Sequence, residues 1–447
     1  MKKILLINPP FYRLMGSHYN GISLGLGYIA AVLKANGFEV KIYNADYEDR
    51  ADYLNQKEIF DNYYHYKSVL NNPRHPIWQE IERMIRSFAP DVVGISMFTA
   101  TYKSAQIVAD IVKKIDAGIQ VIVGGTHPSL DPHGTIQNDS FDLIIRNEGE
   151  FPFLSLMQGK KLDAIPGLVY KNNGQIIFTE EPESIKDIDA LPFPERKAYL
   201  NPIANMDIGS VITGRGCPYD CAYCCSPALW RRKVSLRSVG NVVAELEMLA
   251  SEYKSKLIHF QDDTFTLDID RTKRICQEII DKGLNISWIC DTRVDRLNHE
   301  LLEMMKAAGC VRVKIAVESG SDDILKRMKK RIDKQKIMGA VNLLKDVGIP
   351  FTVYLMVGFP QETNEQVRQT IDFGKSLEAD YYSLSILAPY FGTEVYQAMG
   401  ENGNGLDKEH WEYFFHQSRD MIVNKEIDPK LVEEFFALND YGKGVRV

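Results

Sequence analysis

The chain has 447 residues, a length that predicts two or three domains, and its 45% hydrophobic and 25% charged residues are ordinary for a globular protein. A net charge of −7 disfavours a nucleic-acid-binding protein that relies on phosphate contacts, and no stretch approaches the roughly 20 apolar residues that span a bilayer. All seven cysteines lie at or after position 217 and suit a reducing compartment, so we expect a cytoplasmic protein.

Strands and helices alternate in the first third of the chain. The predicted strands cover residues 3–8, 39–44, 91–96, 120–123 and 142–146. Helices are predicted between them, over residues 24–34, 78–88 and 102–115. This alternation predicts an α/β fold with a Rossmann-like, doubly wound parallel sheet, which binds ligands beyond the carboxyl ends of its strands.

Three loops at those strand ends are therefore candidates for ligand binding: residues 9–23, 96–101 and 124–131. The last of these begins with Gly124 and Gly125. Paired glycines let a backbone approach a ligand closely because no side chain intervenes. A tight turn explains the pair equally well, so the glycines alone do not identify a ligand.

The pattern changes after this sheet. Residues 167–178 predict a β-hairpin that turns at Asn-Asn-Gly, and the acidic, proline-punctuated stretch to Pro194 predicts a linker. Six further strands, with helices between them, are predicted over residues 209–213, 256–260, 286–290, 311–317, 351–357 and 381–387. Repeated βα units at this interval indicate a parallel barrel or part of one, with its active site at the carboxyl ends of the strands.

Three clustered cysteines follow the first of these six strands: Cys217, Cys221 and Cys224, in a C-x3-C-x2-C spacing. Three thiolates at this spacing can bind three irons of a 4Fe–4S cluster and leave the fourth iron open to an exogenous chelator, which favours catalysis over electron storage. The alternative is a zinc site, which needs four ligands in a closed tetrahedron. Cys225 could be the fourth ligand, but adjacent cysteines rarely close a tetrahedron around one ion.

This motif, with Tyr223 as the aromatic residue before its last cysteine, resembles that of the radical S-adenosylmethionine (SAM) enzymes. The N-terminal half has an Asn-Pro-Pro first loop, a Gly-Gly-Thr-His-Pro fourth loop and Glu-Gly-Glu at 148–150, and it looks like the cobalamin-binding domain of the cobalamin-dependent members. The resemblance implies a cobalamin-binding domain over 1–160, a hairpin and linker over 161–200, a partial (β/α)6 radical SAM barrel over 201–400 and a short helical C-terminal cap over 401–447.

The resemblance also implies three cofactors and the residues that bind them. The 4Fe–4S cluster would be held by the three clustered cysteines. SAM would be bound by polar groups at successive strand ends: Tyr223, Asp262, Asp263, Arg293, Glu318, Ser319 and Gly358. Cobalamin would be bound by the second and third candidate loops: Ser96, Thr99, Gly124, Gly125, Thr126 and His127. Arg293 is suited to clamping a carboxylate, whereas a carboxylate such as Asp263 can equally cap a helix.

Further expectations concern individual histidines, arginines and cysteines. No Asp-x-His-x-x-Gly motif is present, so we expect no histidine on the lower cobalt face, and we expect His127 and His133 to lie in loops or at the rim. Arg237 is predicted either to lie on a solvated basic face with residues 230–233 or to face an acidic cofactor or substrate. The remaining dispersed cysteines are predicted to be small core residues: Cys276, Cys290 and Cys310.

The activity that the resemblance implies is reductive cleavage of SAM to a 5′-deoxyadenosyl radical. Cobalamin would then serve as methyl carrier for an unactivated carbon, or a phosphorus, of a small-molecule substrate. A flavodoxin or ferredoxin would supply the electron, and the open cluster implies an anaerobic setting. Three alternatives remain open: a cobalamin-containing cyclase or rearrangement enzyme without net methyl transfer, a cobalamin-free radical SAM enzyme, and a non-catalytic metal or redox module.

Overall fold

The structure, a computed structural model, describes residues 2–50, 52–401, 410–422 and 424–442. These residues divide into two compact units. The N-terminal unit comprises the described residues of 1–52, 64–208 and 400–414, and the C-terminal unit comprises those of 53–63, 209–399 and 415–447. Each unit contains one large, mainly parallel sheet. The domain boundaries expected near residues 160, 200 and 400 stay predictions.

The strands are, in chain order, β1 (Lys3–Asn8), β2 (Glu39–Asn44), β3 (Val92–Ser96), β4 (Gln120–Gly124), β5 (Leu143–Ile145), β6 (Leu168–Asn172), β7 (Gln175–Phe178), β8 (Ser210–Val211), β9 (Gly214–Arg215), β10 (Ser235–Leu236), β11 (Leu257–Phe260), β12 (Ser287–Thr292), β13 (Cys310–Glu318), β14 (Phe351–Val357) and β15 (Tyr381–Ile386).

The α-helices are, in chain order, α1 (Leu24–Ala35), α2 (Gln56–Asp61), α3 (Tyr63–Leu70), α4 (Pro76–Phe88), α5 (Tyr102–Ile115), α6 (Thr126–Leu130), α7 (Pro132–Thr135), α8 (Glu150–Met157), α9 (Ser226–Trp230), α10 (Val239–Ser251), α11 (Ile269–Asp281), α12 (His299–Ala307), α13 (Asp322–Arg327), α14 (Lys334–Val347), α15 (Asn364–Ser376), α16 (Glu394–Glu401) and α17 (Pro429–Phe436). None of the helices in the described residues is long and apolar enough to cross a membrane.

The sheet of the N-terminal unit has the strand order β2-β1-β3-β4-β5-β6-β7, and β1 to β5 are parallel. Strands β1, β3 and β4 are buried along almost their whole length, as is typical of parallel strands with helices on both faces. The strand order reverses between β1 and β3, and ligands of such sheets bind at the loops that follow these strands. The predicted doubly wound sheet is confirmed.

The hairpin of β6 and β7 extends this sheet. β6 pairs antiparallel with β5, with Ile145 opposite Leu168. The turn places Asn173 at a φ of +50° and Gly174 at +78°, which is the two-residue turn that suits the twist of a hairpin. The residues that the sequence assigned to a hairpin and linker therefore contribute two strands to the first sheet.

The sheet of the C-terminal unit is fully parallel, with the order β15-β14-β13-β12-β11-β8. In the described residues, β8 and β15 are its two unpaired ends, so the barrel is open. One face packs on the helices as an apolar core, for example through Val353 and Leu384. The opposite face, which we call the inner face, carries half-buried polar residues such as Ser383 and Ser385. The predicted partial barrel is confirmed.

The described part of the C-terminal tail covers the β15 edge of this sheet. The Ile386 amide donates to the His416 carbonyl at 2.7 Å, and the Gln417 side chain donates to the Leu384 carbonyl at 2.9 Å. Pairing of this kind occupies groups that an uncovered edge strand would leave free for aggregation. The predicted helical tail is present as α17, which packs on α15. Residues 402–409, 423 and 443–447 of the predicted tail lie outside the described residues.

Candidate functional site

The three clustered cysteines lie on the loop between β9 and α9, at the carboxyl end of β8. The loop begins at Gly216, whose φ is +88°. A Cβ atom at this position would come within 2.2 Å of the Lys233 carbonyl oxygen, so only glycine allows the chain to pass here. Cys217, Cys221 and Cys224 are all free and half-buried.

The cysteine thiols lie close enough to influence one another. Burial raises the pKa of the Cys217 and Cys224 thiols, and the charge on Cys221 raises both further. Iron binding at these thiols must therefore release protons. No three His, Cys, Asp or Glu side chains in the described residues converge closely enough to hold a single metal ion. Cysteines that each bind a different iron need no such convergence, so the three thiols fit a cluster.

Arg293 supports this loop. Its guanidinium lies 3.8 Å from the Tyr219 ring, and it donates to both carboxylate oxygens of Asp295 at 2.9 and 3.0 Å. It also donates to the Lys330 carbonyl at 2.8 Å. The sequence assigned the Arg293 guanidinium to the carboxylate of SAM, whereas in the structure it pairs with Asp295. Its predicted contact with SAM stays a prediction.

A buried polar triad links the cluster loop to the end of β13. The Tyr223 hydroxyl donates to Glu318 Oε1 at 2.9 Å, and Lys330 Nζ donates to the same oxygen at 2.8 Å and to the Tyr223 oxygen at 3.0 Å. Glu318 adopts a φ of +71°, which a non-glycine residue rarely takes and which marks strain at functional sites. The sequence missed Lys330, because a lysine between Lys329 and Arg331 reads as part of a solvated charged stretch.

The two aspartates after β11 have different environments. Asp262 is buried, and it accepts hydrogen bonds from the Thr213 amide at 3.0 Å and the Thr213 hydroxyl at 2.7 Å. Burial raises the pKa of Asp262 to about 6. Asp263 is exposed and accepts a hydrogen bond from the Ser226 hydroxyl at 2.9 Å. Asp262 thus holds the strand that leads to the cluster loop, while Asp263 faces outward beside it.

The remaining predicted SAM residues lie at the ends of β13 and β14. Ser319 is fully buried, with its hydroxyl 3.0 Å from that of Thr370. Gly358 has a φ of +94°, and its amide donates to Glu362 Oε2 at 2.6 Å. Burial raises the pKa of Glu362 to about 7. Its second carboxylate oxygen, Oε1, is buried and has no hydrogen-bond partner among the described residues.

Arg237 is neither on a solvated face nor free to meet a cofactor, so both interpretations of it were wrong. Its side chain is 2% exposed and lies 2.5 Å from Glu245, which is fully buried. The same guanidinium donates to the Ile212 carbonyl at 2.8 Å and to the Asn241 side chain at 2.6 Å. By contrast, Cys276, Cys290 and Cys310 are buried as predicted.

In the N-terminal unit, the Gly-Gly loop begins where β4 ends. Ser96 pairs with Gly124 at the ends of β3 and β4, and the Met97 amide donates to the Gly124 carbonyl at 2.8 Å. Gly125 has a φ of +103°, and a Cβ atom there would come within 2.6 Å of the Met97 carbonyl oxygen. Thr126 then starts α6 and is half-buried. The chain's own packing therefore requires glycine here, because a Cβ on either glycine would meet a backbone carbonyl oxygen, and the contact of this loop with cobalamin stays a prediction.

His127 lies beneath this loop. It is fully buried, with Nδ1 3.1 Å from the Thr99 hydroxyl and its ring packed against those of Tyr102 and Trp411. Burial lowers the pKa of His127 to about 3, and Nε2 has no hydrogen-bond partner in the part of the chain that the structure describes. The expectation of a rim position was wrong for His127, whereas His133 is exposed. The contact of His127 with cobalamin stays a prediction.

The sequence also missed a polar cluster on the inner face of the second sheet. Its members lie on four neighbouring strands: His259, Asp291, Lys314 and Tyr354. The alternation of apolar and polar residues along these strands could have revealed the cluster. A strand with one face in the core and one face toward a polar interior places a polar residue at every second position. The apolar residues between them defined the strands and concealed this second pattern.

Two family models match the chain. The B12 binding domain matches residues 16–156, and the radical SAM superfamily matches residues 211–374. An uncharacterized methyltransferase of Pyrococcus horikoshii is 33% identical over 407 residues, which span 88% of this chain and 82% of the relative. The cytidylyl-2-hydroxyethylphosphonate methyltransferase of Streptomyces wedmorensis is 27% identical, with 88% and 81% of the two chains covered.

The fold is also shared with a solved structure. The radical SAM methyltransferase TsrM of Kitasatospora setae superposes with a TM-score of 0.70 at 19% identity, over 91% of this chain and 77% of TsrM. A radical SAM domain uses a 4Fe–4S cluster and SAM, and a B12-binding domain uses cobalamin, which are the three cofactors predicted from the sequence. The chain is therefore a member of the cobalamin-dependent radical SAM enzymes.

Proposed function

We propose that this protein is a cobalamin-dependent methyltransferase that acts on an unactivated carbon, or a phosphorus, of a small molecule. The observation that carries this proposal is the loop with three free thiols at the end of β8, and the Gly-Gly loop at the carboxyl end of β4 supports it by its position in the sheet. The methyltransferase names of the relatives from Pyrococcus horikoshii and Streptomyces wedmorensis support methyl transfer over cyclisation. When bound, the cofactors would supply a SAM-derived carbon radical and a methyl group carried on cobalt.

The residues of each unit hold and orient these groups. Cys217, Cys221 and Cys224 bind three irons and leave the fourth to SAM. Asp263 and Glu318 lie at strand ends beside the cluster loop, where carboxylates can accept hydrogen bonds from the amino and hydroxyl groups of SAM. The other SAM contacts that we propose are Tyr223, Asp262, Arg293, Ser319 and Gly358. In the N-terminal unit we propose the following cobalamin contacts: Ser96, Thr99, Gly124, Gly125, Thr126 and His127.

A flavodoxin or ferredoxin in the cytoplasm is the proposed electron donor. Arg231, Arg232 and Lys233 are exposed in the segment that follows α9, and Arg232 Nε donates to the Pro218 carbonyl at 3.1 Å. Pro218 lies between the first two cluster cysteines, so this basic surface borders the cluster loop. Small electron carriers of this kind are acidic, and a basic surface beside the acceptor speeds their productive encounter.

The test is anaerobic reconstitution with iron, sulfide and hydroxocobalamin, followed by incubation with SAM and dithionite. We expect 5′-deoxyadenosine from radical formation and S-adenosylhomocysteine from methyl donation. Protein that is loaded with the cluster but not with cobalamin should still form 5′-deoxyadenosine and should lose S-adenosylhomocysteine. Loaded protein that forms 5′-deoxyadenosine alone would instead support a cyclase or rearrangement enzyme.

A pair of cysteine variants tests the cluster assignment. Cys221→Ala removes one of three iron ligands and should abolish both the cluster absorbance and SAM cleavage. Cys225→Ala is the matched control, because Cys225 is an adjacent half-buried thiol that this assignment leaves unused. SAM cleavage that survives Cys221→Ala, or that is lost equally in both variants, would contradict the assignment.

A further inference from the structure

The polar cluster on the inner face of the C-terminal sheet forms one connected network. His259 Nε2 lies 3.0 Å from Asp291 Oδ2, and the Tyr354 hydroxyl donates to Asp291 Oδ1 at 2.5 Å. Lys314 Nζ lies 3.3 Å from the same His259 Nε2 atom. Strands β11 to β14 contribute one residue each. We call His259, Asp291, Lys314 and Tyr354 the barrel tetrad.

The barrel tetrad lies deeper in the barrel than the proposed SAM contacts. Lys314 precedes Glu318 by four residues on β13, and Tyr354 precedes Gly358 by four residues on β14. Because a strand rises about 3.3 Å per residue, Lys314 and Tyr354 lie about 13 Å farther from the carboxyl ends of their strands than these SAM residues. The separation is smaller on the other two strands: about 10 Å from His259 to Asp262, and about 7 Å from Asp291 to Arg293. The tetrad therefore lies in the layer of the barrel interior next to, and deeper than, the proposed SAM contacts.

This layer is accessible rather than packed. The side chain of His259 is 22% exposed and that of Asp291 is 25% exposed, and Lys314 and Tyr354 are half-buried. The interior of a closed barrel is filled by layers of bulky branched side chains. Polar side chains in an open interior, reached by solvent, instead leave room for a polar ligand.

The tetrad cannot satisfy all of its own contacts at once. His259 Nε2 can donate a proton to Asp291 or accept one from Lys314, but a single ring nitrogen cannot do both. When Nε2 donates to Asp291, Lys314 Nζ has no acceptor on His259 and can turn to a ligand.

Asp291 is the anchored member of the tetrad. Burial by itself would raise the pKa of Asp291, but the net effect is a lowered pKa. The lowering comes from the hydrogen bonds that His259 and Tyr354 make to the carboxylate and from the charge of Lys314. Its carboxylate is therefore an acceptor held in place by neighbouring strands. The tetrad thus presents one cationic donor and one fixed anionic acceptor on the same inner face.

We propose that the barrel tetrad is the binding site for the polar part of the substrate, and that the substrate carries a carboxylate, phosphate or phosphonate group. Lys314 binds that anionic group through a charge-assisted hydrogen bond, and Asp291 accepts a hydrogen bond from a hydroxyl or amino group of the same molecule. His259 and Tyr354 position the Asp291 carboxylate. This inference rests on the proposed function, because it names the substrate class of the same barrel.

The test uses acetate and methylphosphonate as probes of the two anion classes. Binding to holoenzyme loaded with the cluster, cobalamin and saturating SAM is measured by ligand-observed NMR. We expect at least one of the two anions to bind, and the stronger of the two identifies a carboxylate or a phosphorus-containing substrate. If neither anion binds, or if SAM displaces the bound anion, the proposal is overturned.

Two substitutions, Lys314→Met and Asp291→Asn, sharpen the test through opposite effects. Lys314→Met should weaken anion binding by about tenfold or more, the loss of one charge-assisted hydrogen bond, and Lys314→Arg should retain binding. Asp291→Asn should strengthen anion binding, because it removes a carboxylate that repels the probe. Lys345→Met is the matched control, since Lys345 pairs with Glu378 on the outside of the same unit. A purely structural tetrad would weaken binding in both Lys314→Met and Asp291→Asn, and that result refutes the proposal.

Anion binding requires neither a reduced cluster nor turnover. Holoenzyme that binds the probes as expected but forms no S-adenosylhomocysteine would contradict methyl transfer and retain the tetrad site. Holoenzyme that forms S-adenosylhomocysteine but binds neither probe would retain methyl transfer and overturn the tetrad site.

Discussion

The buried ion pair between Arg237 and Glu245 gives the sharpest prediction about stability. Arg237 is 2% exposed and Glu245 is fully buried, so neither charge is solvated by water. The Arg237 amide donates to the Thr213 carbonyl at 2.9 Å, and Arg271 donates to the Arg237 carbonyl at 2.8 Å. The ion pair therefore anchors the segment between β8 and the cluster loop to α10 and α11.

Glu245→Gln removes the charge that compensates Arg237 while keeping the side-chain volume. Removal of one partner from a buried ion pair costs about 3–5 kcal/mol, because the remaining charge stays buried. The glutamine oxygen still accepts a hydrogen bond, so we expect the lower end of that range. With an m value of about 3 kcal/mol per molar urea, the unfolding midpoint should fall by about 1 M.

The assay is urea titration read by hydrogen–deuterium exchange of the β11 and β12 peptides, which report on the C-terminal unit alone. Glu247→Gln is the matched control, because Glu247 lies two residues along the same helix and pairs with Lys282 at the surface. Screening by water leaves such a pair with little effect on stability. If Glu245→Gln shifts the midpoint no more than Glu247→Gln does, the reasoning is refuted.

Three further predictions concern pH dependence, cobalamin binding and reduction. Burial raises the pKa of the Glu362 carboxyl to about 7. The stability that its protonated form contributes is therefore fully present below the ordinary carboxyl pKa, and it is lost as the pH rises through about 7. Glutamine cannot ionise, so the urea midpoint of the Glu362→Gln variant should rise relative to that of wild type as the pH increases from about 5 to about 8. A difference between the two midpoints that stays the same across this pH range would contradict the prediction. Gly125→Ala places a Cβ 2.6 Å from a backbone carbonyl oxygen, so this variant should lose cobalamin but keep SAM cleavage. Gly25→Ala is the control, because the space around Gly25 is open, and it should keep both. Absorbance reports cobalamin binding, and a product assay reports SAM cleavage. Arg232→Glu combined with Lys233→Glu should slow cluster reduction by flavodoxin about tenfold at low salt and leave dithionite reduction unchanged; equal slowing with both reductants would argue against docking at this surface.

Several features could be predicted from the sequence because they depend on residues close together along the chain. The cysteine spacing confines all three thiols to one loop, whatever the rest of the chain does. The alternation of apolar strands and amphipathic helices is likewise local, and it predicted both parallel sheets. The turn residues Asn173 and Gly174 predicted the hairpin, since both take the positive φ that such a turn requires.

Other features depend on pairings between distant residues. The hairpin joined the first sheet because β5 offered an edge that β6 could pair with. His127 is buried because the rings of Tyr102 and Trp411 cover it, and Trp411 lies far away in the sequence. Lys330 stands in a charged stretch, yet it is buried against Glu318. No local pattern contains such information.

By itself, the sequence determined the fold class and the cluster loop, because each is encoded in short-range spacing or periodicity, and its motifs carried the resemblance to the family. Only the tertiary structure decided which charges are buried in ion pairs and which lie half-buried on the inner face of a sheet. Arg237 and Lys314 illustrate the difference: both are cations in the C-terminal unit, but one lies against a fully buried carboxylate and the other shares a single histidine nitrogen with Asp291. The physical reason is that the solvation and partners of a charge are set by strands and helices that meet only when the chain folds.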